Sequence, residues 1–302
     1  MKKTMSILLA MIMVLLMATP SFALTGCLVE KISDFATLKA KLEALGDGQR
    51  VQYDILNDIV FTETININAE RVVLEFNNMS KSKEAQFIVD GVLGIDVNTY
   101  NPNVELYFKD VVFAAQKDDS KRNECGIEIS KYSDNCTIDG AKFFYLTNFS
   151  SEAAGIYVNA ENCTISNCTF DNCSADYGAG IYINNDVVTV ENCTFNGCYA
   201  TSYGGGIYAA SYCSDIEITG CTFNKATAKK GLGSCVYGFG EDYVKVIKCS
   251  PIGGSWCYYG CEQIDGVGSF ISTGSIAVIS AVVVLAGIAV FVFIKRKKSN
   301  KA

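Results

Sequence analysis

The chain has 302 residues, with 25 Lys+Arg against 32 Asp+Glu, 14 Cys, 26 Gly, 3 Pro and no His. The missing imidazole excludes Ser-His-Asp and Cys-His nucleophilic catalysis, imidazole general bases and imidazole metal ligands. The acidic balance argues against nucleic acid, which needs a basic face, and a content of 49 % hydrophobic residues excludes a disordered chain.

Residues 1–23 read as a secretory signal: Lys2 and Lys3, then the apolar stretch Ile7 to Ala18, then a small-residue cleavage site at Ser21-Phe22-Ala23. Ile32 to Leu45 places Phe35, Leu38, Leu42 and Leu45 at helical spacing, and Gly46-Asp47-Gly48 should stop the helix. A short amphipathic helix here would cover the open end of whatever follows. Val51–Ile55, Ile65–Ile67, Val72–Phe76, Phe87–Val89 and Val104–Phe108 are strand-like, and 50–125 reads as a set of irregular coils.

A repeat then becomes plain. Gly126-Ile-Glu-Ile129, Gly155-Ile-Tyr-Val158, Gly180-Ile-Tyr-Ile183 and Gly206-Ile-Tyr-Ala209 start 29, 25 and 26 residues apart. Each is followed by a second alternating strand (Cys136–Ile138, Cys163–Ile165, Val188–Val190, Ile216–Ile218) and then a third (Ala141–Phe143, Cys168–Phe170, Cys193–Phe195, Cys221–Phe223). Three short strands of period two in so few residues describe one coil of a solenoid, whose inner face is buried only by stacking on its neighbours. Gly140, Asn167, Asn192 and Gly220 stand between the second and third strands, where a sharp corner needs residues that accept a left-handed backbone.

The period points Ile, Cys and Phe inward and Thr169, Thr194 and Thr222 outward. It also turns Tyr157, Tyr182 and Tyr208 outward as an external aromatic ladder, the candidate ligand-binding residues, with the plainer alternative that the stacked rings only stabilise the outside of the sheet. Val244–Val246 and Cys249 carry the repeat once more, and Pro251 then stands where Phe is due.

Ile276 to Ile294 is 19 uncharged residues followed by Lys295-Arg296-Lys297-Lys298, which reads as a transmembrane helix with a basic cytoplasmic stop. The expected organisation is a 1–23 signal peptide, a 24–49 N-terminal cap, a 50–250 parallel β-helix, a 251–275 C-terminal cap and linker, a 276–294 membrane helix and a 295–302 tail. All 32 acidic residues fall between signal and membrane helix, so the segment left outside the cell is more acidic than the whole chain. Phe270-Ile-Ser-Thr273-Gly274 matches the Thr-Gly of a Leu-Pro-x-Thr-Gly wall-sorting motif but lacks its Leu and Pro, which favours a plain membrane anchor.

Gly204-Gly-Gly-Ile-Tyr208 and Cys193-Thr-Phe-Asn-Gly-Cys198 resemble the GGAI and FxxN repeats of polymorphic-membrane-protein-type adhesins and of adhesin-like surface proteins of anaerobic prokaryotes. The resemblance covers coils 126–232. It implies a right-handed parallel β-helix and a role in cell-surface adhesion, through a carbohydrate or protein ligand on a surface. Two departures stand out: this chain ends in one apolar helix in place of an autotransporter barrel, and it is far shorter than typical members.

The cysteines fall into columns. Cys168, Cys193, Cys221 and Cys249 form one inward ladder, with Cys136 and Cys163 in a second and Cys173 and Cys198 in a third. Stacked Cβ atoms about 4.8 Å apart exceed disulfide spacing, so these read as packed thiols. Cys27, Cys125, Cys213, Cys235, Cys257 and Cys261 are the disulfide candidates, with Cys257–Cys261 the first pair. No C-x-x-C pair exists to suggest zinc, and no metal or other cofactor is implied.

Seven Asn-x-Ser/Thr triplets begin at Asn78, Asn135, Asn148, Asn162, Asn167, Asn172 and Asn192. Five lie in the Asn-Cys-Thr/Ser repeat, where coil geometry accounts for them.

Many parallel β-helices cleave polysaccharides, a reaction that needs paired carboxylates or a base with a cation. Here Asp171, Asp176, Asp186 and Glu191 are dispersed, and outside the tail only Arg50, Arg71 and Arg122 supply guanidinium. The expectation is therefore a binding protein with no catalytic residues. The alternatives are a structural surface spacer and a polysaccharide-degrading enzyme.

Overall fold

In the computed structural model the described residues are 27–264, except 90, 101–102, 116–124, 241–242 and 251–256; of 150 and 151 the backbone alone is described. The expected signal 1–23, the segment 266–275 with Thr273-Gly274, the apolar stretch 276–294, the basic tail and Arg122 lie outside the described residues. Among the described residues no helix is long and apolar enough to cross a membrane.

The repeat folds coil by coil. One coil runs through Ile156–Val158, Cys163–Ser166, Thr169–Asp171 and Ser174–Tyr177. The next runs through Ile181–Ile183, Val188–Glu191, Thr194–Asn196 and Tyr199–Tyr203. Equivalent strands pair in parallel, with Ile156 opposite Ile181, Ile165 opposite Val190 and Phe170 opposite Phe195. Stacking builds a ten-stranded, an eight-stranded, a seven-stranded and a four-stranded sheet among the described residues. The chain is an all-β parallel solenoid.

The fourth sheet, Thr147–Glu152, Ser174–Tyr177, Tyr199–Tyr203 and Thr227–Ala228, is a strand per coil beyond the three that periodicity indicates. Its strands are short and bulged, so they carry no clean alternation. Stacking also runs past the expected domain limit at 250. Tyr258–Tyr259 extends the eight-stranded sheet and Glu262–Ile264 the ten-stranded one. At the other end, Leu28–Ile32 pairs in parallel with Arg50–Ile55, so the expected N-terminal cap already contains one strand of the solenoid.

The corners follow from backbone chemistry. Asn167 and Asn192 take φ of 53° and 54°, and Gly140 and Gly220 take 74° and 64°. An Asn side chain tolerates this left-handed region because it hydrogen-bonds locally. Asn167 Nδ2 donates to Asp139 Oδ1 of the preceding coil at 2.5 Å. Asn162 does the same to Asn135. The Asn-Cys-Thr/Ser triplets are thus corner residues in the left-handed region.

A helix at Phe35–Glu43 is capped by Asp34, whose carboxylate accepts from Thr37 N at 2.9 Å. It buries Leu38 and Leu42 and packs against Ile59–Phe61 and Ile65–Ile67, the terminal strands of two sheets.

The core is built from columns of like residues. Phe143, Phe170, Phe195 and Phe223 stack with centroids 5.0, 4.7 and 4.7 Å apart and interplanar angles below 10°. Each ring covers the repeat glycine of its own coil. A Cβ on Gly126, Gly155, Gly180 or Gly206 would lie 2.7, 2.5, 2.6 or 2.6 Å from the ring carbons of Phe143, Phe170, Phe195 or Phe223. The Gly of the first strand and the Phe of the third are therefore one structural unit. Where the sequence replaces that Phe by Pro251, Cys235 occupies the Gly position, opposite Gly206 in the parallel register.

Gly180→Ala must push the Phe195 ring off its stack, and overpacking of this kind costs about 1–3 kcal/mol. A lower Tm in calorimetry is expected for Gly180→Ala, and partial recovery in Gly180→Ala/Phe195→Leu. An unchanged Tm for the single variant would refute the Gly–Phe coupling.

Candidate binding site

The tyrosines predicted as a ladder do stack. Tyr157–Tyr182 and Tyr182–Tyr208 centroids are 5.4 and 5.0 Å apart, and the column continues through Tyr237 and Tyr259 at 5.5 and 4.9 Å. As an open contact surface, however, the ladder is corrected by the structure. Tyr182 and Tyr208 are only 9 % and 8 % exposed, and Tyr157 is half-buried. The cover includes a second tyrosine row from the unforeseen fourth sheet: Tyr177 lies 5.0 Å from Tyr208, and Tyr203 lies 4.5 Å from Tyr237 with Lys230 Nζ above its own ring. Burial and neighbouring Tyr177 push the Tyr208 phenol up to about 12, and burial also raises Tyr157 and Tyr182. These rings pack; they offer little face to a ligand.

Accessible aromatics lie one step further along each coil. In the connections that leave the eight-stranded sheet, Tyr100, Tyr132 and Tyr212 are 79 %, 51 % and 64 % exposed. Tyr100 and Tyr132 stack at 5.7 Å, and Lys131 Nζ sits 5.0 Å from the Tyr132 centroid. The connections differ in length. From Val97, Ile129 and Ala209 to the register-equivalent Glu105, Thr137 and Glu217, the chain takes eight residues. From Val158 and Ile183 to Thr164 and Thr189, it takes six. Two short connections between longer ones leave a recess. An open cavity of about 400 Å³ lies there, lined by Lys131, Asn159, Asn184, Asn185 and Tyr212. Tyr212 OH donates to Asn184 Oδ1, and Asn184 Nδ2 donates to Asn159 Oδ1 at 3.1 Å.

Periodicity reasoning passed over this site because it follows strands, and these residues lie in the connections. The unequal starts, 29 against 25 and 26 residues, were its trace in the sequence.

The cysteine ladder is a column of buried free thiols: Cys168, Cys193, Cys221 and Cys249. Each donates to the carbonyl two residues before it, Cys168 to Ser166 O at 3.1 Å and Cys193 to Glu191 O at 3.3 Å, beside the backbone N–H groups of Gly140 and Asn167 that these oxygens also accept. They pack as small hydrophobes, and their weak S–H donors add to carbonyls the backbone ladder already pairs. Burial, then the neighbouring Cys168 thiol, holds Cys193 well above the ordinary thiol range. Such thiols are unreactive.

Cys257 is bridged, but to Cys235 and not to Cys261, with Cα atoms 4.6 Å apart. The two occupy equivalent entry positions of successive coils, where Cys235 N donates to Cys257 O at 2.8 Å. Coil spacing therefore admits a bridge at this position, contrary to the spacing argument for the columns. Cys261 is a buried thiol donating to Tyr259 O at 3.2 Å, Cys125 Sγ donates to Ile127 O at 2.8 Å, and Cys27 and Cys213 are free thiols. Among the described residues no cluster of three His, Cys, Asp or Glu side chains is placed to hold a metal.

A model of the right handed beta helix region matches residues 119–276, just over half of the chain. The chain belongs to this right-handed β-helix family, and the match supplies the hand of the solenoid. No curated protein matches it.

Two measurements test this description. Tyrosines raised from about 10 in the unfolded chain stabilise the fold fully below that pH and lose the contribution as pH rises through about 12. Ultraviolet titration should show a class of tyrosines ionising only together with unfolding above pH 10, and a single ordinary transition would refute the burial. Peptide mapping after alkylation should recover Cys235 linked to Cys257 with Cys261 alkylated. Recovery of a Cys257–Cys261 peptide would refute the pairing.

Proposed function

We propose that this protein is an adhesin-like surface molecule that binds glycans or surface proteins without transforming them. In this reading 24–275 stands outside the cell, the 276–294 helix holds it in the membrane and 295–302 remains cytoplasmic. The observation that carries the proposal is the exposed edge at Tyr100, Tyr132 and Tyr212. Phenolic rings held on a rigid scaffold present large contact area at small entropic cost. They lie in the connections, the part of a solenoid free to vary while its strands keep register. Membership of the right-handed β-helix family is compatible with both binding and polysaccharide cleavage; the side chains around the recess favour binding, being amide, phenol and ammonium with no carboxylate among them.

The full chain in detergent micelles, applied to immobilised polysaccharides and matrix proteins, should show saturable binding with no sugar released from the same wells. Released oligosaccharide would overturn the non-catalytic reading, and absence of binding across the panel would overturn recognition. A Tyr100→Ala/Tyr132→Ala variant should bind at least tenfold more weakly with an unchanged Tm.

A further inference from the structure

The floor of the recess is three amides, Asn159, Asn184 and Asn185, and its walls are Lys131 on one side and Tyr212 on the other. The walls belong to coils three steps apart, which sets them about 14 Å from each other along the solenoid axis. The floor is recessed because the two intervening connections are each two residues shorter than those that bear the walls. The volume, about 400 Å³, falls within the range of small-ligand sites.

The chemistry of the lining narrows the ligand. Nothing aliphatic lines the cavity, which argues against a lipid or an apolar peptide side chain. The amides are partly committed to each other: Asn184 spans Asn159 and Tyr212, and Asn185 Nδ2 donates to Asn159 O at 3.3 Å while its Oδ1 accepts from Asp186 N at 2.9 Å. This bonding fixes their orientation. It leaves Asn159 Nδ2 and the second hydrogen of Asn184 Nδ2 as donors with no partner among the described residues. An amide offers donors and acceptors together, which suits hydroxyl groups, themselves both donor and acceptor. Tyr212 adds an exposed aromatic ring held by its hydroxyl. Lys131 adds a cation that touches the Tyr132 ring and has no carboxylate partner among the described residues. On a domain whose acidic residues outnumber its basic ones, an unpaired ammonium at a cleft is a specific counter-charge.

We propose that this recess binds a short glycan carrying one carboxylate, with its hydroxyls on Asn159, Asn184 and Asn185, a sugar ring against Tyr212 and the carboxylate at Lys131. The assignment rests on the recognition reading above and gives it a site and a ligand class. No bond is made or broken; the interaction is hydrogen bonding, ring contact and one ion pair.

The test uses the full chain in detergent micelles on an array of short glycans printed in pairs, each backbone with and without a single sialic or uronic acid residue. The wild-type chain should prefer the acidic member of its bound pairs. Lys131→Gln should lose that preference, with acidic glycans bound about tenfold more weakly and neutral ones unchanged. Tyr212→Ala and Asn184→Ala should weaken both members. Among the described residues Lys131 makes no side-chain hydrogen bond or ion pair and touches only the exposed Tyr132 ring, so Lys131→Gln keeps its Tm within a degree or so, and Thr194→Ala on the outer face of the seven-stranded sheet serves as a surface variant away from the recess. Equal binding of acidic and neutral partners, a preference that survives Lys131→Gln, or no glycan bound at all would each overturn the proposal. Binding to the polysaccharide and matrix panel that persists in all the recess variants would overturn the recess while leaving surface recognition standing. A wild-type chain silent on both panel and array would remove both.

Discussion

In every regular coil of this solenoid, a phenylalanine ring from the third strand lies against the bare Cα of the glycine that opens the first. The contact leaves no room for a Cβ. It also repeats at the spacing at which aromatic rings stack, with Phe170, Phe195 and Phe223 at 4.7 Å intervals. Parallel strands stack at nearly the same interval. One distance thus satisfies the backbone ladder and the ring column together, and each coil is held in the register of its neighbours. The isoleucine and cysteine columns follow from that register, because a slip of one residue would turn them all outward. In the sequence the loss of Phe at 251 coincides with the loss of Gly at 235, and Cys235 is bridged to Cys257.

The interior dictates the strands and leaves the connections free. Corners need only residues that tolerate a left-handed backbone, and Asn, Gly, Asp and Lys all serve. Connection length is unconstrained by the core, since the chain leaves one strand and re-enters another through solvent. That freedom produces both the exposed tyrosines and the recess: two connections shorter than their neighbours lower the surface locally. The same arrangement separates the tyrosines that pack from those on which recognition is proposed. Tyr208 and Tyr237 lie against Tyr177 and Tyr203 and support the sheet, while Tyr100, Tyr132 and Tyr212 stand beyond it in water.

On the extracellular reading proposed above, thiols would ordinarily be expected to pair. Here most are sequestered. Their hydrogens are given to carbonyls that backbone N–H groups of the preceding coil already serve, so the columns act as apolar filler with weak additional bonds to the ladder. Cys is suited to this because it is small enough for a corner and still a donor.

The repeat itself was legible in the sequence. The strands of the regular coils, the inward Ile, Cys and Phe, and the left-handed corners at Asn167 and Asn192 are each consequences of alternation and residue chemistry within one coil. What lies between coils was not. The burial of Tyr208 depends on a fourth strand whose bulges erase alternation, and the partner of Cys257 depends on which residue of the neighbouring coil faces it. The recess of Asn159, Asn184, Asn185, Lys131 and Tyr212 is a difference in length between connections that are far apart in sequence and adjacent in space. Periodicity is a local property and is written along the chain. Exposure, pairing and concavity are set by neighbours that only the stacked structure brings together.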